Sequence, residues 1–154
     1  MTKIDKFIQI AANEASNSTQ TFKHGAVIIG KGGKIICTGY NKGNRTKILD
    51  KVFTCTHAEI DALNNLVRYL RPKYGKNYKK QIKKYSILVV SIEKTKDLLK
   101  TAYSKPCYYC AKTLEEYGIK KIYYTIDHES YETVKMEDLN STYKSDCQLK
   151  SEIV

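Results

Sequence analysis

The chain has no tryptophan, only two prolines and no long apolar run among its 154 residues. Its longest apolar stretch, residues 87–92, has the length of a strand and is far shorter than the roughly 18 residues of a membrane span. The segment 1–6 also lacks the apolar core of a signal peptide. We therefore expect no membrane association, a cytoplasmic location and a single domain over 1–154, with a peripheral tail from about residue 136.

Acidic residues are scarce, since 16 Asp and Glu stand against 27 Lys and Arg, giving a formal net charge of +11. Such an excess is typical of proteins that bind nucleic acid or phosphate. It also follows from biased composition, because Lys far outnumbers Arg and the lysines spread along the chain without forming one block. We favour composition as the explanation, because net charge alone identifies no partner.

The five cysteines are an odd number, and without a secretion signal we do not expect a disulfide framework. Cys107 and Cys110 are close in sequence, and a clustered pair in a reducing compartment more often binds metal. Cys37, Cys55 and Cys147 stand apart from them. We expect Cys37 in the core, and we do not count Cys55 as a metal ligand.

Apolar periodicity and turn residues predict the element order α-β-β-α-β-α-β-β, which is an α/β fold with a mixed sheet flanked by helices. Residues 41–50 and 73–84 are predicted to be polar loops, the second containing six lysines. The predicted helices span 2–16, 56–71 and 107–117, and the predicted strands span 25–30, 34–40, 85–92, 119–126 and 131–135.

Two short segments carry residues suited to catalysis: His-Ala-Glu at 57–59 and Pro-Cys-Tyr-Tyr-Cys at 106–110. Residues three apart on a helix share a face, so the thiolates of Cys107 and Cys110 can reach one ion. With His57 they offer three ligands, which leaves the fourth tetrahedral position of Zn²⁺ open to water, as in catalytic zinc sites. Zinc lowers the pKa of such water toward about 7, and Glu59 stands where a proton shuttle is needed.

Each segment alone has a simpler interpretation. Thr56 and Glu59 have the spacing of a capping box, in which Glu59 only satisfies helix donors. A Cys-x-x-Cys pair alone is equally a redox pair or half of a structural zinc site. Together and in this order, however, the segments form the H-x-E and P-C-x-x-C signature of zinc deaminases, which favours catalysis.

Over about residues 25–124 the sequence resembles the cytidine deaminase superfamily. Gly-Ala-Val at 25–27 with Gly-Tyr-Asn at 39–41 resembles the first hairpin and substrate loop of that family. Cys-Ala-Lys at 110–112 with Gly-Ile-Lys at 118–120 is similar to deoxycytidylate deaminases in particular. The resemblance implies a three-layer α-β-α cytidine-deaminase-like fold with a mixed five-stranded sheet.

The resemblance also implies the site and the reaction. Zn²⁺ would be held by His57, Cys107 and Cys110, and Glu59 would be the general acid and base. Asn41 would contact the sugar or base of the substrate, and backbone groups near Ala58 would hold the base. The implied reaction is hydrolytic deamination of a cytosine nucleotide or nucleoside to its uracil form, with release of ammonia, by a homo-oligomer.

The subfamily stays open, because Asp61 stands where deoxycytidylate deaminases usually have Asn and the predicted terminal hairpin resembles free-nucleoside deaminases. We favour a deaminase of free cytosine nucleotides or nucleosides, with Lys42, Arg45 and Lys105 as candidate phosphate contacts. A base deaminase acting on RNA or single-stranded DNA is an alternative. A non-catalytic structural zinc module is another, although such a module has no use for Glu59. We interpret His24 as a packing or surface residue in preference to a cleft residue.

Overall fold

The structure is a computed structural model that describes residues 2–43, 46–48, 51–53, 55–95, 98–128, 130–139 and 141. Within these residues, helices lie on both faces of a mixed sheet. The helices are α1 (Lys3–Ala15), α2 (Ala58–Tyr74), α3 (Tyr78–Ile82) and α4 (Tyr108–Tyr117), and the strands are β1 (Lys23–Ile29), β2 (Ile35–Tyr40), β3 (Thr46–Ile48), β4 (Lys51–Phe53), β5 (Ser86–Thr95), β6 (Leu98–Ala102), β7 (Lys121–Thr125) and β8 (Tyr131–Lys135).

The main sheet follows the order β2-β1-β5-β7-β8, and β6 pairs with the far end of β5. β5 and β7 are parallel, whereas the other neighbours are antiparallel. The five-strand path agrees with the expected mixed sheet, but the strand count of five is wrong, because β6 is a sixth strand. Glu93 lies directly opposite Lys100 in this added hairpin, and such opposite charges favour antiparallel pairing.

One face of the sheet is covered by α1. Thr2 and Asp5 form the predicted capping box at its start. Phe7 and other buried residues of α1 pack against alternate side chains of β1 and β5, among them Val27 and Leu88. Gly25 allows this close packing, because a Cβ atom there would collide with the Ala11 carbonyl oxygen.

The opposite face is covered by α2, α3 and α4 around a larger apolar cluster. Gly39 of β2 lets α2 come close, because a Cβ atom there would collide with the Ala62 backbone nitrogen. The Asn65 side-chain amide also donates a hydrogen bond of 2.8 Å to the Thr38 carbonyl oxygen. These contacts fix where α2 begins relative to the sheet, and with helices on both faces the three-layer α-β-α arrangement is confirmed.

Two predicted loops contain regular structure. α2 continues through Pro72, and a 3₁₀ turn (Gly75–Asn77) and α3 follow it, so the prediction of a loop over 73–84 is wrong. The physical reason is that Leu70, Tyr78 and Ile82 are buried at helical spacing, which continues the apolar face past the proline. The predicted loop over 41–50 also contains β3, which pairs with β4.

No helix in the part of the chain that the structure describes is both long and apolar enough to cross a membrane.

Candidate active site

His57 and Cys107 occupy equivalent positions, because each is the N-cap of a helix, α2 and α4 respectively. Both residues have an extended backbone, and neither side chain makes a capping hydrogen bond. Cys110 follows one turn into α4 and is fully buried. A capping box of Thr56 and Glu59 is excluded, because it requires Thr56 at the N-cap. Two helix N-termini thus bring the predicted ligand residues to one place.

The three candidate ligand atoms form a compact cluster. Nδ1 of His57 lies 3.3 Å from Sγ of Cys110 and 3.7 Å from Sγ of Cys107, and all three atoms are within 4.8 Å of one another. Tetrahedral zinc with bonds of about 2.0 Å to nitrogen and 2.3 Å to sulfur holds such atoms about 3.5 Å apart. The donor set therefore fits zinc. Cys55 takes no part in it because it is disulfide-bonded, which departs from the expectation that the cysteines form no disulfides.

The electrostatics of the cluster favour the metal-binding thiolate form of Cys107. A hydrogen bond with Cys110 and the neighbouring His57 lower the pKa of Cys107 to about 5, against the opposing effect of burial. For His57, burial is outweighed by the hydrogen bond with Cys107 and the charge of Glu59, so its pKa is raised. By contrast, burial and the nearby Asp61 raise the pKa of Cys37 to about 12. Cys107 is thus a thiolate at neutral pH, the form that binds metal.

Glu59 lies in the first turn of α2 and is only 5% exposed. Burial raises the pKa of its carboxyl group, and the charge of His57 opposes this rise only in part. A carboxyl group whose pKa moves toward neutrality is better suited both to take up a proton and to return it. The position and chemistry of Glu59 are therefore those expected of the predicted proton shuttle.

A cleft of about 920 Å³ opens over the cluster, within the size range of small-ligand sites. His57, Glu59 and Cys107 line it. Asn41 and Pro106, which belong to the sequence motifs, and Lys105 also line it. The folded sheet brings further wall residues to the cleft that no motif identifies: Gln20, Thr21, Phe22, His24, Tyr103, Ser104 and Ser141. No sequence motif points to the aromatic residues among them, Phe22 and Tyr103, which are 76% and 59% exposed.

Asn41 lines the cleft, but its side chain is occupied by the protein itself. Its Oδ1 accepts a hydrogen bond of 2.9 Å from the His24 backbone N–H, and its Nδ2 donates one of 2.7 Å to the Phe22 carbonyl oxygen. Asn41 therefore shapes the wall that carries these two residues. Ala58 is fully buried and does not line the cleft, so any contact of Ala58 with a substrate would have to involve its backbone.

His24 also lines the cleft, so its interpretation as a packing or surface residue is wrong. His24 precedes Gly25, which forms the last residue pair of β1 with β2, and its backbone N–H donates a hydrogen bond to the Asn41 side chain. Burial and the charge of His57 lower the pKa of His24 to about 4. Its imidazole is consequently neutral at physiological pH and offers one donor and one acceptor to the cleft.

The three candidate phosphate contacts have different surroundings. The Lys42 ammonium forms an ion pair of 3.1 Å with Asp61, whose other oxygen accepts a hydrogen bond from the Tyr40 backbone. Lys105 lines the cleft, two residues before Cys107. Arg45 lies outside the described residues. Of the two described cations, Lys105 is the one that lines the cleft beside the candidate metal cluster.

Residues 104–106 are held firmly. The Ser104 hydroxyl donates to the Val89 carbonyl oxygen at 2.7 Å and accepts a bond of 2.7 Å from the Thr125 backbone N–H. On the other side of Lys105, the Ser141 hydroxyl donates to the Pro106 carbonyl oxygen at 2.6 Å. The backbone on both sides of Lys105 is therefore fixed to the sheet or to the following segment.

Comparison with known proteins identifies the family. The family described as "Cytidine and deoxycytidylate deaminase zinc-binding region" matches residues 1–126. The chain belongs to this family. Its membership, together with the His/Cys/Cys cluster, supports zinc as the metal. No curated protein matches the chain.

Two of the solved structures that are similar to this chain are deaminases. A mutant cytidine deaminase from Mycobacterium tuberculosis is 16% identical, with a TM-score of 0.50 over 94% of this chain and 100% of that one. The dCMP deaminase from the cyanophage S-TIM5, in apo form, is 22% identical, with a TM-score of 0.48 over 79% of this chain and 81% of that one. The first likeness confirms the predicted cytidine-deaminase-like α/β fold with a mixed sheet.

Proposed function

We propose that the protein is a zinc-dependent hydrolytic deaminase that converts a cytosine nucleotide or nucleoside to its uracil form and releases ammonia. The observation that carries the proposal is that the buried Glu59 lines the same cleft as His57 and Cys107, which form the donor set together with Cys110. A structural zinc module has no need of a buried carboxyl in an open cleft. This geometry therefore favours catalysis over the structural alternative.

The chain's own residues supply the proton transfers of the proposed reaction. His57, Cys107 and Cys110 would hold the zinc ion, which when bound would lower the pKa of a water molecule toward about 7. Glu59 takes up a proton from the attacking water and delivers it to the ring nitrogen of cytosine. It then helps the second proton reach the amino group, which leaves as ammonia while the C4 carbonyl forms. Water and cytosine are thus fully converted to uracil and ammonia.

Lys105 supports a phosphorylated substrate. In the part of the chain that the structure describes, no carboxylate lies within 4.0 Å of its ammonium group. An ammonium in a cleft whose acidic lining residue is Glu59 favours an anionic substrate group. We therefore include cytosine nucleotides, and not only nucleosides, among the proposed substrates.

A second candidate, a base deaminase acting on RNA or single-stranded DNA, is favoured by the exposed rings of Phe22 and Tyr103 on the cleft lining. Exposed aromatic rings stack on the bases of single strands. A homo-oligomer, a cytoplasmic location and a single domain over the whole chain stay predictions that accompany the proposal.

Ammonia release tests the proposal and separates the two candidates. The zinc-loaded protein is assayed on dCMP, CMP, deoxycytidine, cytidine and a cytosine-containing single strand, with Glu59→Ala as the control. We expect turnover of at least one monomer. Activity on the strand alone would establish the second candidate in its place, and ammonia release from none of the five would overturn both.

A further inference from the structure

Acidic residues are absent from one long stretch of the chain. Between Asp61 and Glu93 there is no Asp or Glu over 31 positions, whereas the same stretch holds eight cations. This stretch therefore accounts for +8 of the formal net charge and leaves +3 for the rest of the chain. The lysines are spread along the sequence, but the acids that would balance them are not. The cations are Arg68, Arg71, Lys73, Lys76, Lys79, Lys80, Lys83 and Lys84.

All eight cations are exposed and lie on the C-terminal half of α2, on α3 and in the adjoining turns. Among the described residues, none of the eight has a carboxylate within 4.0 Å of its charged nitrogen atoms. Together with Tyr69 and Tyr74, these cations define what we call the α2–α3 basic surface. The fold thus brings together eight cations that form no ion pair with a described residue, although the linear sequence does not show them as one block.

Aromatic rings are interleaved with the cations of this surface. The Lys73 ammonium lies 4.2 Å from the Tyr69 ring centroid, and the Arg71 guanidinium lies 5.6 Å from that of Tyr78. Tyr69 and Tyr74 are 39% and 43% exposed. Exposed rings among cations are the combination with which proteins bind single strands, because phosphates meet the charges and bases stack on the rings.

The surface is separate from the catalytic cleft. α2 has 17 residues and therefore extends about 25 Å from its start beside the cluster to its end at Tyr74. No residue of the α2–α3 basic surface is among the described residues that line the cleft. A phosphate on a monomer bound in the cleft therefore does not reach these lysines.

We propose that the α2–α3 basic surface binds single-stranded nucleic acid. The uncompensated charge matches a polyanion, and the exposed tyrosines match unstacked bases. A lipid surface fits less well, because the exposed residues of this surface include no Leu, Ile, Phe or Trp to insert into a membrane. The inference stands independently of the proposed deamination.

Fluorescence anisotropy with labelled 20-nucleotide oligouridylate and oligothymidylate tests the proposal on the zinc-loaded full chain. The test variant is Lys76→Gln/Lys80→Gln/Lys84→Gln. The matched control is Lys31→Gln/Lys34→Gln/Lys120→Gln, which removes the same charge from exposed positions elsewhere. We expect the test variant to bind at least tenfold more weakly, with a slope of log affinity against log salt that is smaller by about 2. The control stays within about threefold of the wild type.

Tyr74→Ala tests the stacking contribution. We expect about tenfold weaker binding of the single strand with an unchanged salt slope, because the substitution removes a ring and no charge. Ammonia release from a free monomer is expected to be equal in the wild type and the triple test variant, which keeps this test independent of the deaminase proposal. Equal losses in the two triple variants, no effect of Tyr74→Ala, or tighter binding to phosphatidylserine vesicles than to either oligonucleotide would overturn the inference.

Discussion

The two ends of α2 have opposite character. At its N-terminal end the polar residues are buried and partnered: His57 contacts both cysteine thiols, and Asp61 binds Lys42 and the Tyr40 backbone. At its C-terminal end lysines and arginines are exposed and have no acidic residue near them in sequence. Burial shifts pKa values at the first end, whereas solvent screens the charges at the second. We infer that the N-terminal end of α2 takes part in catalysis and that its C-terminal end binds a polyanion.

The largest loss of activity is expected from substitutions in the cluster where the N-termini of α2 and α4 meet. Cys107→Ala removes one of three ligands, so we expect loss of bound zinc and of turnover. Excess zinc stabilises the wild type by about 2.7 kcal/mol at a hundredfold excess over its Kd, and this gain disappears in the variant. Metal analysis and thermal unfolding with and without zinc measure both effects. Cys37→Ala is the matched control, because Cys37 lies outside the cluster and this variant should keep the metal. Full zinc content in Cys107→Ala would refute the ligand assignment.

The next largest effect is expected for the pH dependence of stability, which depends on buried groups such as His24 in the cleft and not on the exposed cations at the C-terminal end of α2. The pKa of His24 is lowered to about 4 in the folded protein, whereas the unfolded value is about 6.5. Between these values the unfolded state binds the proton and the folded state does not, so folding stability falls as pH falls from 6.5 to about 4. The loss is about 3 kcal/mol. Urea unfolding of metal-free protein across this range should show a shallower pH dependence for His24→Gln, and identical curves would contradict the buried neutral imidazole.

A pair of glycines tests how the sheet positions α2. Gly39→Ala and Gly25→Ala each force a Cβ atom into a helix backbone, and we expect each to cost about 1–3 kcal/mol of stability. Only Gly39 faces α2, which carries His57 and Glu59, whereas Gly25 faces α1. Zinc affinity measured by competition with a chelator should therefore fall more in Gly39→Ala. Equal affinities in the two folded variants would mean that the β2–α2 contact does not position the ligands.

The smallest effect is expected at the exposed end of α2. Tyr69→Phe removes the hydroxyl that accepts a hydrogen bond of 2.7 Å from the Lys73 ammonium. Because both side chains are exposed, water replaces this bond, and we expect an unfolding midpoint equal to that of the wild type within error. A clear drop in the midpoint of a chemical unfolding curve would show that this end of the helix is stabilised by its surface contacts after all.

The sequence alone predicted that His57, Cys107 and Cys110 lie together, because they belong to short motifs at helix starts and local spacing determines which face the two cysteines share. It did not predict α3, because the lysines hide the helical spacing of Tyr78 and Ile82 that continues from α2. Nor did it predict β6, because the charged residues around it are typical of a loop. Only the structure shows that Glu93 and Lys100 lie opposite each other on paired strands.

The walls of the cleft were the least predictable part. Phe22 and Tyr103 are 81 positions apart in sequence and belong to no common motif. Only the pairing of β1 with β5 and of β5 with β6 brings their segments to the same cleft. The engagement of Lys42 with Asp61 is equally a property of the fold. Long-range contacts of this kind leave no local pattern in the sequence. They determine that Lys42 pairs with Asp61 whereas Lys105 lines the cleft.

In the proposed reaction, Glu59 transfers protons beside a zinc ion held by His57, Cys107 and Cys110. The most direct test is steady-state ammonia release by Glu59→Gln on the monomer that the wild type turns over best, together with its zinc content and thermal unfolding. We expect full zinc, an unfolding transition like that of the wild type and a kcat lowered by about 10²–10⁴-fold. Wild-type turnover by a zinc-loaded Glu59→Gln protein would show that Glu59 does not transfer the protons.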